Sequence, residues 1–252
     1  MLSVFPVPGL PLIGAGDDLA ALILAAMAKA SLSFEDGDVL VVAQKIVSKA
    51  EGRMVALASV EAGDDARALS AKTGKDPALC QLILDEASEV VRTAPNLVIV
   101  RNRHGVVLAN AGIDASNVAD PESAAQVLLW PLDPDASAAR LRAALQPECT
   151  HLSVIVSDSL GRAWRMGTMG TAIGVAGMLP LRDQCGDTDL FGRTLVATLT
   201  GVADEIAAAA SLMMGEGGEG VPAAIVRGAR TVRAEGAGSA SLIRTAQQDL
   251  FR

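Results

Sequence analysis

Seven consecutive residues, Met214-Gly215-Glu216-Gly217-Gly218-Glu219-Gly220, combine four glycines with two carboxylates. Glycines let a backbone approach a ligand closely and take positive φ angles. Glycine-rich turns that cradle phosphate usually carry a lysine or open a helix. This one has no lysine and follows a helix-forming run, Val202 to Met214. Carboxylates repel phosphate unless a divalent cation lies between them, so the pattern points to a nucleotide held through metal. A helix stop running into a surface turn has the same residues and is the commoner use of such a cluster.

Further groups suit the same chemistry. Asp158 and Ser159 follow the apolar run Leu152-Ser153-Val154-Ile155-Val156, where a buried strand would end. Asp114 follows a second strand-like segment. With Glu216 these would form an all-oxygen site for one or two divalent ions, although an acid of this kind taken alone more commonly serves as a turn or helix-cap residue. Lys45, Lys49 and Arg53 are four residues apart and would share a helix face, either recognising an anion or facing solvent. Arg162 and Arg165 lie close to Asp158 in sequence and could grip phosphate or pair with acids. The two histidines, His104 and His151, are too few for a histidine-rich centre and read as surface or strand-end residues. No Ser-His-Asp set, dinucleotide fingerprint or P-loop is present.

Composition narrows the remaining classes. A net charge of −8, 2% aromatic residues and no tyrosine argue against a nucleic-acid partner. No apolar run reaches the roughly 18 residues that span a bilayer, and the N-terminus lacks the basic region of a signal peptide. Three scattered cysteines fit a reducing, cytoplasmic setting. The elements expected to position the candidate groups are a helix from a cap at Asp17-Asp18 to about Lys29 and a buried strand at 39–43. Helices follow at 64–73 and 77–92, then a hairpin of 97–100 with 105–109. A helix at 137–145, the strand at 152–156 and the helix at 202–214 complete the set. The order implies an α+β fold of mixed and antiparallel sheets with packed helices. Residues 1–252 read as one module, or two intertwined subdomains, with no separable linker.

The segments PGLPLI, DGDVLVVAQKIVSKAEGR, NAGIDASN, PLDPD, VSDSLGR and ADEIAAAASLMMGEGGEGVPAAIVRG resemble, in that order, the coenzyme F420-0:L-glutamate ligase family. The likeness runs to the final LIRTAQQDLFR and is to the form without the nitroreductase-like domain of some actinobacterial relatives. It implies a GTP-dependent ligase that adds L-glutamate to coenzyme F420-0 and extends the poly-γ-glutamyl tail through an acyl phosphate, releasing GDP and phosphate. It also implies a homodimer with the family's unusual α+β fold. The expected cofactors are Mn²⁺ or Mg²⁺, two ions, with K⁺ as a further candidate. Carried over by motif, Leu10, Pro11, Leu12, Ile13, Gln44, Lys45, Lys49, Asn117, Met214, Gly215, Glu216, Gly217, Gly218, Glu219, Gly220 and Val221 should contact the nucleotide. Asp114, Asp158, Ser159 and Glu216 should hold metal, and Lys49 and Arg162 are the expected charge stabilisers in catalysis. Ser159 stands where some members have threonine, which keeps the hydroxyl. Gln44-Lys45 replaces a hydroxyl pair of some archaeal members. The rival readings are a metal- and nucleotide-dependent ligase for another carboxylate, and a non-catalytic GTP-binding protein.

Overall fold

A computed structural model describes residues 1–116, 118, 125–245 and 247–249. In chain order the elements are β1 (Ser3–Pro6), α1 (Leu19–Lys29), β2 (Val39–Ala43), α2 (Gln44–Ala50) and β3 (Met54–Ala56). Next come α3 (Asp64–Thr73), α4 (Pro77–Glu86), β4 (Ala87–Ala94), β5 (Leu97–Asn102), β6 (Val107–Ala109) and β7 (Gln126–Leu128). The remainder are α5 (Pro134–Leu145), β8 (Ser153–Arg162), β9 (Arg165–Met178), β10 (Arg182–Asp183), β11 (Leu199–Thr200), α6 (Val202–Met214), β12 (Ala223–Arg227) and β13 (Arg233–Ala234). The fold is α+β.

A six-stranded sheet in the order β1-β12-β2-β8-β9-β13 forms the frame. Among the described residues of this sheet, only β2 and β8 pair in parallel. Both faces of this sheet are covered, which is why β2 reads Val-Leu-Val-Val-Ala without polar alternation. Leu40, Val42, Val154 and Val156 pack with α1, α2 and α5 on one face. Val39, Val41 and Ile155 pack with Ala203, Ile206, Ala207 and Ala210 of α6 on the other. A second apolar cluster joins Leu69 of α3, Ile83 of α4 and Val98 and Val100 of β5. Pro6 is tolerated because β1 is an edge strand.

Local signals explain the helix starts. Asp18 accepts the Ala21 N–H and caps α1. Asp76 and Asp133 cap α4 and α5, each followed by proline at the first helical position. That Asp-Pro pair begins α5 at Pro134, three residues before the expected Ser137.

Two expectations are corrected. The helix placed over 77–92 ends at Glu86, and Ala87–Ala94 forms β4 against β5. Val90, Val91 and Thr93 are β-branched, and a waiting partner strand decides in favour of sheet. The strand ending at Val156 instead continues to Arg162, because β9 runs antiparallel beside it over the whole extension. Asp158 and Ser159 are therefore inside a strand, at the root of a two-stranded β8–β9 arm, and not in a loop after one.

Helices reach this sheet closely because β9 carries glycines. A Cβ on Gly174 would overlap the Pro134 carbonyl of α5, and one on Gly170 would lie 2.6 Å from the Ala207 carbonyl of α6. Gly174→Ala should therefore cost about 1–3 kcal/mol through overpacking, read as a lowered urea midpoint with an unchanged m-value.

Candidate active site

The parallel pair places its chemistry at one end. In register, Ala43 of β2 lies opposite Ser157 of β8. One residue further on, β2 becomes α2, bearing Lys45 and Lys49, while β8 continues through Asp158 and Ser159. Open sheets commonly bind ligands outside the carboxyl ends of parallel strands. Here the glycine-rich loop closes the same end: Ala43 N–H donates to the Pro222 carbonyl at 2.8 Å.

These elements enclose a cavity of about 340 Å³. Its walls include Leu10, Pro11, Leu12 and Ile13, then Gln44, Lys45 and Lys49, then Asp158 and Ser159, and the loop residues Met214 to Gly218, Gly220 and Val221. Residues from four separate parts of the sequence thus meet at one space, whereas Asp114 is not among its lining residues. Glu219 does not line the cavity: its carboxylate turns back to accept the Gly217 N–H at 2.8 Å and occupies the space beside Gly215. Gly215 and Gly220 both have positive φ, so the loop's glycines serve its shape. Asn117 lies outside the described residues.

Asp158 is the electrostatic centre. Burial pushes its carboxyl from the ordinary 3.8 up to about 6, against the pull of the Trp130 indole and its neighbour's N–H. The indole Nε1–H donates to Oδ2 at 2.7 Å, and the Ser159 N–H to Oδ1 at 2.8 Å. The Asp114 carboxylate adds to the rise and the Lys45 ammonium opposes it. Ser159 Oγ donates to Glu216 Oε1, tying the strand to the glycine loop. Lys45 Nζ lies 2.8 Å from Asp114 Oδ2, and Ser116 caps the other oxygen of that carboxylate. Lys49 sits in a partly buried position that lowers its pKa, helped by Lys45 and offset by Asp114.

The expected donors Asp114, Asp158, Ser159 and Glu216 all offer oxygen, the ligand type of a hard divalent cation. Among the described residues no three acidic, histidine or cysteine side chains are already grouped around one point. Asp114 is held instead by Lys45, and Glu216 by the Ser159 hydroxyl.

Two arginines stand elsewhere. α2 ends at Ala50, so Arg53 leaves the face of Lys45 and Lys49; its guanidinium pairs with Glu86 at 2.9 Å and donates to the Trp130 carbonyl. Arg162 occupies the end of the β8–β9 arm, about 13 Å along the strand from Asp158, and does not line the cavity. Sequence reasoning missed Trp130. Its signal was present: a tryptophan in an apolar strand-like run needs a partner for its N–H once buried.

A profile described as F420-0:Gamma-glutamyl ligase matches residues 9–228. The coenzyme F420:L-glutamate ligase of Methanothermobacter thermautotrophicus is 46% identical over 100% of this chain and 99% of its own length. That of Archaeoglobus fulgidus is 45% identical over 100% of this chain and 96% of its own length. The chain belongs to the F420-0:gamma-glutamyl ligase family. Within this family member, Asp158 and its partners are set by the parallel strand pair at the sheet's centre.

The Asp158 environment has a measurable consequence. The folded protein binds this proton more tightly than the unfolded chain does. Its contribution to stability is therefore present below about 4 and lost as pH rises through about 6. Asp158→Asn removes the titration. The melting temperature of the ligand-free variant, relative to the parent, should rise between about pH 4 and pH 7; a flat difference would show that the carboxyl is not destabilised by burial.

Proposed function

We propose that the protein is a GTP-dependent ligase that joins L-glutamate to coenzyme F420-0 and then to the growing γ-glutamyl tail. The observation that carries this reading is the convergence of Lys45, Lys49, Asp158, Ser159 and Glu216 on one cavity in a chain that aligns over its full length with named F420:L-glutamate ligases.

A carboxylate is a poor electrophile, so the acceptor's carboxylate must first be activated. In this reading it takes the γ-phosphoryl group of GTP, forming an acyl phosphate and releasing GDP. The neutral α-amine of L-glutamate attacks the acyl carbon, the C–O bond to phosphate breaks, and the amide forms with loss of a proton. Phosphoryl transfer of this kind needs positioning and charge neutralisation more than covalent help from the protein.

The chain's residues are suited to those tasks. The backbone at Gly218, with open space where a Cβ would stand, lets polyphosphate lie close, while the Glu219 carboxylate fills the space beside Gly215. Lys45 and Lys49 supply positive charge from one helix face. Gln44 is buried, accepts the Ser48 hydroxyl, and has an Nε2 without a partner among the described residues; an acceptor on a bound nucleotide would satisfy it. Asp114, Asp158, Ser159 and Glu216 would hold Mn²⁺ or Mg²⁺, which when bound offsets the repulsion between phosphate and carboxylate. Lys49 is the charge stabiliser. Arg162 would serve that purpose only from the arm of a second copy. A homodimer is supported by apolar side chains left in solvent at the arm's end, Trp164 and Met166, and on the Leu190-Phe191 turn.

Mass spectrometry of F420-0 incubated with protein, GTP, Mn²⁺ and L-glutamate should show species heavier by successive glutamyl residues, with one GDP per addition. An unchanged F420-0 mass would overturn the reading, and turnover with a different carboxylate acceptor would redirect it. Lys49→Ala should lower kcat/KM for GTP by about a hundredfold while leaving the melting temperature within a few degrees. Unimpaired turnover would remove Lys49 from the mechanism.

A further inference from the structure

Two of the expected cation-binding carboxylates come from unrelated parts of the chain, and a single short segment reaches both: Asp158, which lines the cavity, and Asp114, which does not line it and is paired with the lining residue Lys45. Leu128 and Asp114 exchange backbone hydrogen bonds, N–H to carbonyl in each direction, at 2.8 and 3.0 Å. Two residues later, Trp130 sends its indole N–H to Asp158 Oδ2. Residues 128–130 therefore hold one acid by main chain and the other by side chain.

Trp130 is itself held from several sides and is 2% exposed. Its carbonyl accepts Arg53 Nε at 2.9 Å, and Arg53 is anchored on Glu86. The indole edge presses on Gly112, where an added Cβ would lie 2.5 Å from Nε1 and 2.7 Å from Cε2. The His104 ring packs against it with centroids 6.1 Å apart. A side chain restrained in this way has one direction in which to point its N–H.

The chemistry of the pair gives that restraint a purpose. An indole N–H donates and cannot accept, so it can serve only the acceptor face of the Asp158 carboxylate. One donor on each oxygen, Trp130 on Oδ2 and the Ser159 N–H on Oδ1, leaves a further lone pair on each. We infer that Trp130 is a positioning residue: its indole N–H fixes the Asp158 rotamer so that the remaining carboxylate lone pairs are aimed into the cavity. The inference rests on the reading of Asp158 as a cation-binding group. Residues that orient a ligating carboxylate in this manner typically govern affinity by about 10–100-fold.

Trp130→Phe keeps an aromatic ring and deletes the donor. The variant should bind Mn²⁺ about tenfold or more weakly in titration calorimetry. The half-saturating Mn²⁺ concentration for turnover should rise in step, with KM for glutamate unchanged. In an Asp158→Asn background the same change should have no further effect on Mn²⁺ affinity, because the two residues act as a unit. The indole N–H resonance of Trp130 should shift markedly in Asp158→Asn. Equal Mn²⁺ affinity and kcat in Trp130→Phe and the parent would overturn the inference, as would additive losses in the double variant. If the parent binds no Mn²⁺, the cation reading has failed. The comparison then passes to kcat/KM for GTP, where an unaltered value in Trp130→Phe overturns the positioning role and a fall of about tenfold or more, absent in the Asp158→Asn background, upholds it. Should Trp130→Phe fail to fold, β-(3-benzothienyl)alanine at position 130 replaces the N–H by sulfur at nearly the same shape and allows the same measurements.

Discussion

The parallel pairing of β2 with β8 is the constraint on which the site depends. Each strand contributes five paired residues to the sheet's centre, ending with Ala43 beside Ser157, and none of these ten is exposed to water. Burial on both faces locks the register, since a one-residue slip would exchange the side chains packed under α5 for those packed under α6. The elements that leave this edge inherit that precision. Lys45 and Lys49 rise from α2 on one side, and Asp158 and Ser159 continue along β8 on the other.

The site is built against local stability. A carboxylate held away from water costs free energy, and the rise of Asp158 to about 6 expresses that cost. The indole donor and the backbone N–H offset part of it. Lys45 beside Asp114 and the Ser159 hydroxyl on Glu216 satisfy the remaining acids in the same economical way. Such pairing leaves charges that can be regrouped around a ligand, because every partner sits on a strand or helix or is joined to one. Perturbed carboxyls in cavities are a common mark of functional sites.

Much of the architecture was legible in the chain. β2 and α6 follow from a short apolar run and an alanine-rich run, and the Asp-Pro pairs mark α4 and α5. The residues 87–92 were misread because Val90, Val91 and Thr93 become strand only when β5 is alongside. The length of β8 was likewise hidden, since Gly161 and Arg162 carry no strand signal and extend only by pairing with β9. Arg53 illustrates the same limit: four-residue spacing placed it with the lysines, but α2 stops three residues earlier and the guanidinium turns to Glu86.

By itself the sequence determined the α+β class, the family resemblance and most of the groups that line the cavity, because side-chain chemistry and short-range spacing are written residue by residue. Tertiary structure alone decided that Leu10 to Ile13, α2, the root of the β8–β9 arm and the glycine loop face one space. It alone brought Trp130 to Asp158, 28 residues away. Long-range contacts arise from the register of buried strands and the close approach of helices at glycines, and neither is encoded in any single segment.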